Sequence, residues 1–98
     1  MQHIFSLSIN KKPGIIIRAA LIFERRGFDI DFMEISGEDS SGLNKMIIRA
    51  TGDSSKVVQI EKQLEKLIDV VKAKYISSEL ATDNKLQLES KPALLKAV

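Results

Sequence analysis

The spacing of apolar residues changes period in a fixed order along this chain, and that order limits the folds open to it. Residues 4–9 read I-F-S-L-S-I, with Phe5, Leu7 and Ile9 alternating against Ser6 and Ser8. This is the two-residue period of a strand. Lys11-Lys12-Pro13-Gly14 then breaks the alternation with turn chemistry. Over residues 15–26 the period lengthens: Ile16, Ala19, Ala20 and Phe23 share one helical face, Ile17 and Leu21 widen it, and Arg18, Glu24 and Arg25 fall mostly elsewhere. Pro13 stands near the first turn, where a missing N–H does no harm, and Gly27 stands where a helix-ending glycine belongs.

Residues 28–36 return to alternation. Regular pleating puts Phe28, Ile30, Phe32 and then Glu34 on one side, with Met33 and Ile35 on the other. The polar run Gly37-Glu38-Asp39-Ser40-Ser41-Gly42 is compatible with a hairpin loop. Residues 46–50 form a short apolar strand that Thr51-Gly52-Asp53-Ser54 ends, with Asp53 or Ser54 available to cap a helix. There Val57, Ile60, Leu64, Leu67 and Ile68 keep helical spacing, while Lys56, Glu61, Lys62, Glu65 and Lys66 stay solvated. Residues 69–77 read as a last strand, with Val71, Ala73 and Tyr75 facing one way. The order β-α-β-β-α-β fits an α+β, ferredoxin-like split βαβ fold: a four-stranded antiparallel sheet with both helices on one face.

At 98 residues the chain has room for one such domain. It is read as residues 1–77, followed by a tail over residues 78–98. In the tail, Lys85-Leu86-Gln87-Leu88-Glu89 suggests a short extra strand, and the alternative is partial disorder. A domain this short buries a modest share of its surface, so pairing with a second copy would stabilise it. The composition is globular, 44% apolar and 29% charged, and the net charge of +2 is too small to point to nucleic acid or an anionic membrane. Without cysteine there are no disulfides, thiol nucleophiles or cysteine-based metal sites. No apolar run reaches the roughly 18 residues needed to span a bilayer, and the start lacks the pattern of a secretory signal. The expected compartment is the cytoplasm.

Enzyme chemistry finds little to stand on. The single histidine, His3, has no acidic or sulfur neighbours in sequence with which to build a tetrahedral metal site. No glycine-rich phosphate loop is present, since Gly37 and Gly42 stand alone. RNA recognition on this topology needs stacking aromatics on the central strands, and Lys45-Met46-Ile47-Ile48-Arg49 offers none. An acylphosphatase-like enzyme finds a faint echo in Lys11-Lys12-Pro13-Gly14, Arg18 and Asn44, but its glycine-rich loop is missing. One feature remains as chemistry: the same turn feeding the first helix. A helix start offers unpaired N–H groups and a partial positive charge to a carboxylate, and Gly14 lets backbone approach a ligand. The plainer alternative is a helix-start turn with no ligand.

Two stretches weigh on that choice. Pro13-Gly14-Ile15-Ile16-Ile17-Arg18 followed by Leu21-Ile22-Phe23-Glu24-Arg25-Arg26-Gly27-Phe28-Asp29-Ile30 resembles the first ACT motif of acetohydroxyacid synthase (acetolactate synthase) regulatory subunits. Met46-Ile47-Ile48, Gly52-Asp53 and the run from Gln59-Ile60-Glu61-Lys62-Gln63-Leu64 through Glu65-Lys66-Leu67-Ile68-Asp69-Val70 resemble that family's strand-helix-strand segment. Together they cover about residues 2–76.

The resemblance implies a non-catalytic ACT domain that pairs side by side with a second copy, binds a large catalytic subunit and mediates feedback by a branched-chain amino acid such as valine. It implies no cofactor on this chain; thiamine diphosphate, Mg²⁺ and FAD belong to the catalytic partner. Carried over, the effector site takes Lys11, Lys12, Pro13, Gly14, Ile15 and Ile16 from one chain and Asp29 and Ile30 from its partner. Amides after Gly14 would hold the carboxylate, Asp29 the ammonium and Ile30 the side chain. The chain departs from the family at Lys11 and Asp29, where the family has asparagines. A Lys11–Asp29 pair across the dimer would occupy the site and either replace or retune valine sensing. The alternative function is a free-standing ACT amino-acid sensor without an enzyme partner.

Overall fold

Each change of apolar period becomes an element boundary in the computed structural model, which describes residues 1–78. Strand β1 (Gln2–Ile9) leads into helix α1 (Ile15–Glu24), then β2 (Asp29–Glu38) and β3 (Asn44–Thr51). A single 3-10 turn (Ser54–Lys56) opens helix α2 (Val57–Glu65), and β4 (Val70–Ser78) closes the order. The sheet runs β2-β3-β1-β4 with every neighbouring pair antiparallel, which is the ferredoxin-like topology. The readings of residues 79–98 lie outside the described residues.

One face of the sheet carries the core. Phe5, Leu7 and Ile9 of β1 and Met46, Ile48 and Ala50 of β3 pack against Ile15, Ala19, Ile22 and Phe23 of α1 and Val57, Ile60 and Leu64 of α2. These strand residues alternate, so both helices cover the same face. Phe5 and Phe23 meet edge to face with centroids 5.1 Å apart, and Phe28 closes on Phe23 at 6.2 Å. Each such ring, fully buried, stabilises the fold by roughly 1.5–3 kcal/mol relative to exposure. Gly52 is shaped by this cluster: a Cβ there would lie 2.5 Å from the Phe28 ring.

The first helix ends as its glycine promises. Phe28 N–H donates to the Phe23 carbonyl at 3.0 Å and Gly27 N–H to the Glu24 carbonyl at 3.1 Å, with Gly27 at φ +76°. These paired bonds close the last turn around a left-handed residue that glycine adopts without strain. Ahead of the other helix, the Asp53 carboxylate accepts the Ser55 N–H at 2.9 Å and so caps the 3-10 turn, while Lys56, at the start of α2 itself, makes no side-chain cap.

Four sequence expectations are corrected. The buried stripe of α1 is Ile15, Ala19, Ile22 and Phe23; Ile16 and Leu21 are exposed, and Ile17 is 67% exposed. This helix is apolar nearly all round, so periodicity could not choose the face that Phe23 fixes against Phe5. In β2 the register shifts between Ile30 and Phe32, making Asp31 a bulged residue. Ile30, Met33 and Ile35 therefore pack on the core, and Phe32 turns to the reverse face, where the Arg49 guanidinium lies 5.3 Å from its ring centre. The Asp31 carboxylate holds the bulge by accepting from Gln2 Nε2 at 3.0 Å and from the Thr51 hydroxyl. A second shift, at Val71, puts Val70 in the core and leaves Val71 exposed. Finally, α2 ends at Glu65, so Ile68 leaves the helical stripe and is 90% exposed.

Candidate functional site

The turn from β1 into α1 is braced from β4. Asn10 N–H donates to the Asp69 carbonyl at 2.8 Å, and the Asp69 carboxylate takes the Arg18 guanidinium at 3.1 Å. Gly14 is the helix's first boundary residue, at φ +86° with no side-chain cap. Arg18 folds back so closely that a Cβ on Gly14 would stand 2.9 Å from its Nη1. Glycine is required here twice over, by conformation and by space. Ile15 N–H donates to the Lys12 carbonyl at 3.2 Å, and Arg18 N–H to the Gly14 carbonyl at 3.0 Å. The amides of Ile16 and Ile17, between those two, sit in the first turn where a helix supplies no acceptor.

Beside this turn lies a hollow of about 530 Å³ lined by Lys11, Lys12, Pro13, Gly14, Ile16 and Ile17. Five of the eight expected site residues are thus brought together. Ile15 is beside them in sequence but its side chain is in the core. Asp29 and Ile30 are elsewhere in the same chain: Asp29 pairs with Thr51, which pairs with Gln2, whereas the turn follows Ile9, which pairs with Asn44. They stand at opposite ends of the sheet, so any joint site takes them from two chains.

A scan against family models matches the ACT domain over residues 11–73. This chain belongs to the ACT domain family. It is 43% identical, over 74% of its length, to a Methanothermobacter thermautotrophicus protein named "probable acetolactate synthase small subunit". It is 35% identical, over 81% of its length, to the acetolactate synthase small subunit of Haemophilus influenzae. Among solved structures it is similar to the acetolactate synthase small subunit of Thermotoga maritima, with 36% identity, a TM-score of 0.67, and coverage of 79% of this chain and 48% of that one. The matched stretch spans 43% and 48% of the two curated relatives' own length.

Within this ACT domain the sequence reveals Arg18 but not its partner Asp69, 51 residues away. Nor does it reveal that Glu61 reaches from α2 to accept the Tyr75 N–H of β4 at 2.7 Å. His3 is a structural residue: buried, with Nδ1 2.9 Å from the Tyr75 hydroxyl and Nε2 3.2 Å from the Ser54 hydroxyl. Burial pushes the Tyr75 phenol above its ordinary pKa. Among the described residues no group of three His, Cys, Asp or Glu could hold a metal, and no helix is long and apolar enough to cross a membrane.

Proposed function

We propose that this chain is a non-catalytic regulatory subunit of acetolactate synthase. It pairs with a second copy through β2, binds the catalytic subunit, and takes a branched-chain amino acid at the Gly14 turn. The thiamine diphosphate, Mg²⁺ and FAD belong to the catalytic partner. The observation that carries this reading is the hollow at Gly14, lined by the helix-start turn and by the exposed residues Ile16 and Ile17. A carboxylate suits the amides and an aliphatic side chain suits the isoleucines.

The open edge supports the dimer. Glu38 at the end of β2 pairs with Asn44, which pairs with Ile9 just before the turn. An antiparallel β2–β2 union therefore brings the start of the partner's β2, with Asp29 and Ile30, to the end of the sheet where Gly14 stands. Ile16 and Ala20 lie on the flank of α1 away from α2, ready to meet their own copies. In that dimer Asp29 faces the ammonium group, and Lys11 competes with it for the same carboxylate.

Titration calorimetry with valine, leucine and isoleucine tests the site, using the chain and its Lys11→Asn variant. Removing the competing lysine while keeping the Asp29 carboxylate is expected to tighten valine binding by about tenfold, the equivalent of one charge-assisted contact no longer broken. Equal, tight, stoichiometric binding by both forms would sink the competition between Lys11 and the ligand. Valine binding without any capture of the catalytic subunit would instead favour a free-standing sensor.

A further inference from the structure

The two helices leave a trough between them, on the side of α1 opposite the proposed dimer contact. Its floor is apolar, formed by Leu21, Ile22 and Leu67, and its rim carries Arg18, Arg25, Gln63 and Lys66 around about 330 Å³. No carboxylate lines it. Helix periodicity makes this segregation. On α1, Arg18 and Arg25 are two turns apart on one flank with Leu21 between them. On α2, Glu61 and Glu65 share the flank turned to β4, where Glu61 is engaged by the Tyr75 N–H. Gln63 and Lys66 are left facing α1.

The rim cations are not equivalent. Arg18 is already held by Asp69 at 3.1 Å, which fixes one end of the trough. Arg25 and Lys66 are exposed, and neither has an acidic partner among the described residues. Three cations around an apolar strip match an amphipathic segment that carries carboxylates on either side of one apolar side chain. A groove between two helices accepts the ridge of a third. The rim bears no aromatic ring on which a nucleic-acid base could stack.

We infer that this trough docks an acidic helical segment of the catalytic subunit, with an apolar side chain on the Leu21–Leu67 floor and carboxylates on Arg25 and Lys66. The inference rests on the subunit reading above. Because the trough and β2 lie on opposite flanks of α1, one chain engages a second copy and the catalytic subunit at the same time.

The test is the affinity of the full chain for the catalytic subunit of the same organism, measured at several salt concentrations. Arg25→Glu/Lys66→Glu is expected to weaken binding about tenfold or more and to flatten its salt dependence. The dimer and the valine titration stay unchanged, because both side chains are exposed and remote from Gly14. Lys72→Glu/Lys74→Glu makes the same change of charge on β4 and is expected to stay within about twofold of the parent, as exposed charges away from an interface do. Wild-type affinity in the Arg25/Lys66 variant overturns the docking site and leaves the subunit reading standing. Equal losses in both variants also overturn it, since the effect would be one of net charge alone. If the parent chain fails to bind, the docking site and the subunit reading fall together.

Discussion

The two edges of this sheet are treated differently, and the difference says which way the sheet can grow. β4 ends the sheet under guard: Glu61 leans over it to take the Tyr75 N–H, register shifts follow Ile4 and Ser8 of its partner strand, and Lys72 and Lys74 stand exposed along it. Bulges, lysines and a carboxylate aimed at an N–H all discourage a further strand. β2 also carries register shifts, after Ile30 and after Ile35, but among the described residues no side chain accepts from its N–H groups. An edge left unguarded beside exposed Ile16 invites a partner. The proposed dimer therefore uses the edge that α2 leaves unguarded.

The largest effect is expected where β2 is anchored. Phe28 leads into this strand and presses on Gly52, where a Cβ would stand 2.5 Å from the ring. Gly52→Ala is expected to lower stability by about 1–3 kcal/mol, the usual range for overpacking a filled core. Denaturant unfolding measures it. If β2 is the dimer edge, sedimentation of the folded variant also shows a weaker dimer, because the strand is displaced at its start. An unchanged midpoint would mean that the ring moves aside freely and that Phe28 does not set the strand.

Removing the guard on β4 should be milder. Glu61→Ala leaves the Tyr75 N–H without its carboxylate, and because both residues are only half-buried water replaces part of the bond, so the loss is expected to be about 0.5–1.5 kcal/mol. Glu61→Gln keeps an acceptor and is expected to recover part of that loss. The sharper readout is size: the alanine variant is expected to form species larger than the parent's at high concentration. If it assembles no further than the parent, the bulges and lysines alone protect this edge.

How much of this was legible follows from range. The order of elements, the Gly27 helix end, the Asp39 hairpin region and the Asp53 cap are local, set by residues within a few positions of each other, and the sequence shows them. The turn at Gly14 was legible for the same reason. What the sequence hides is pairing over distance. Asp31 becomes a bulge because Gln2 and Thr51 offer it hydrogen bonds, and nothing within residues 28–36 signals that. The face of α1 is decided by which of its apolar residues meets Phe5. Arg18 is visible as a residue, but Asp69 as its partner is a product of the fold. Asp29 and Ile30 begin β2 at the far end of the sheet from Gly14, and only the second chain of the proposed dimer would bring them there.

The smallest effect is expected from acid, and it separates the β2 hairpin from the start of α2. The Asp39 carboxyl is held below its usual pKa of 3.8, first by the Ser41 hydroxyl and then by the N–H groups of Leu43 and Ser41. The Asp53 carboxyl is lowered too, first by the Ser55 N–H. A depressed folded-state pKa contributes stability that is fully present above the unfolded value and is lost as pH falls through the folded one. Both contributions should therefore be intact at neutral pH and fade below about pH 4. Asp39→Asn and Asp53→Asn are each expected to melt slightly lower than the parent at pH 7, with the gap closing in acid. Because Asp39 ends the hairpin of the open edge while Asp53 caps the 3-10 turn beyond it, only the first substitution should also weaken the dimer. Equal dimer affinity in the two variants would remove the hairpin from the interface and leave the union to the first half of β2.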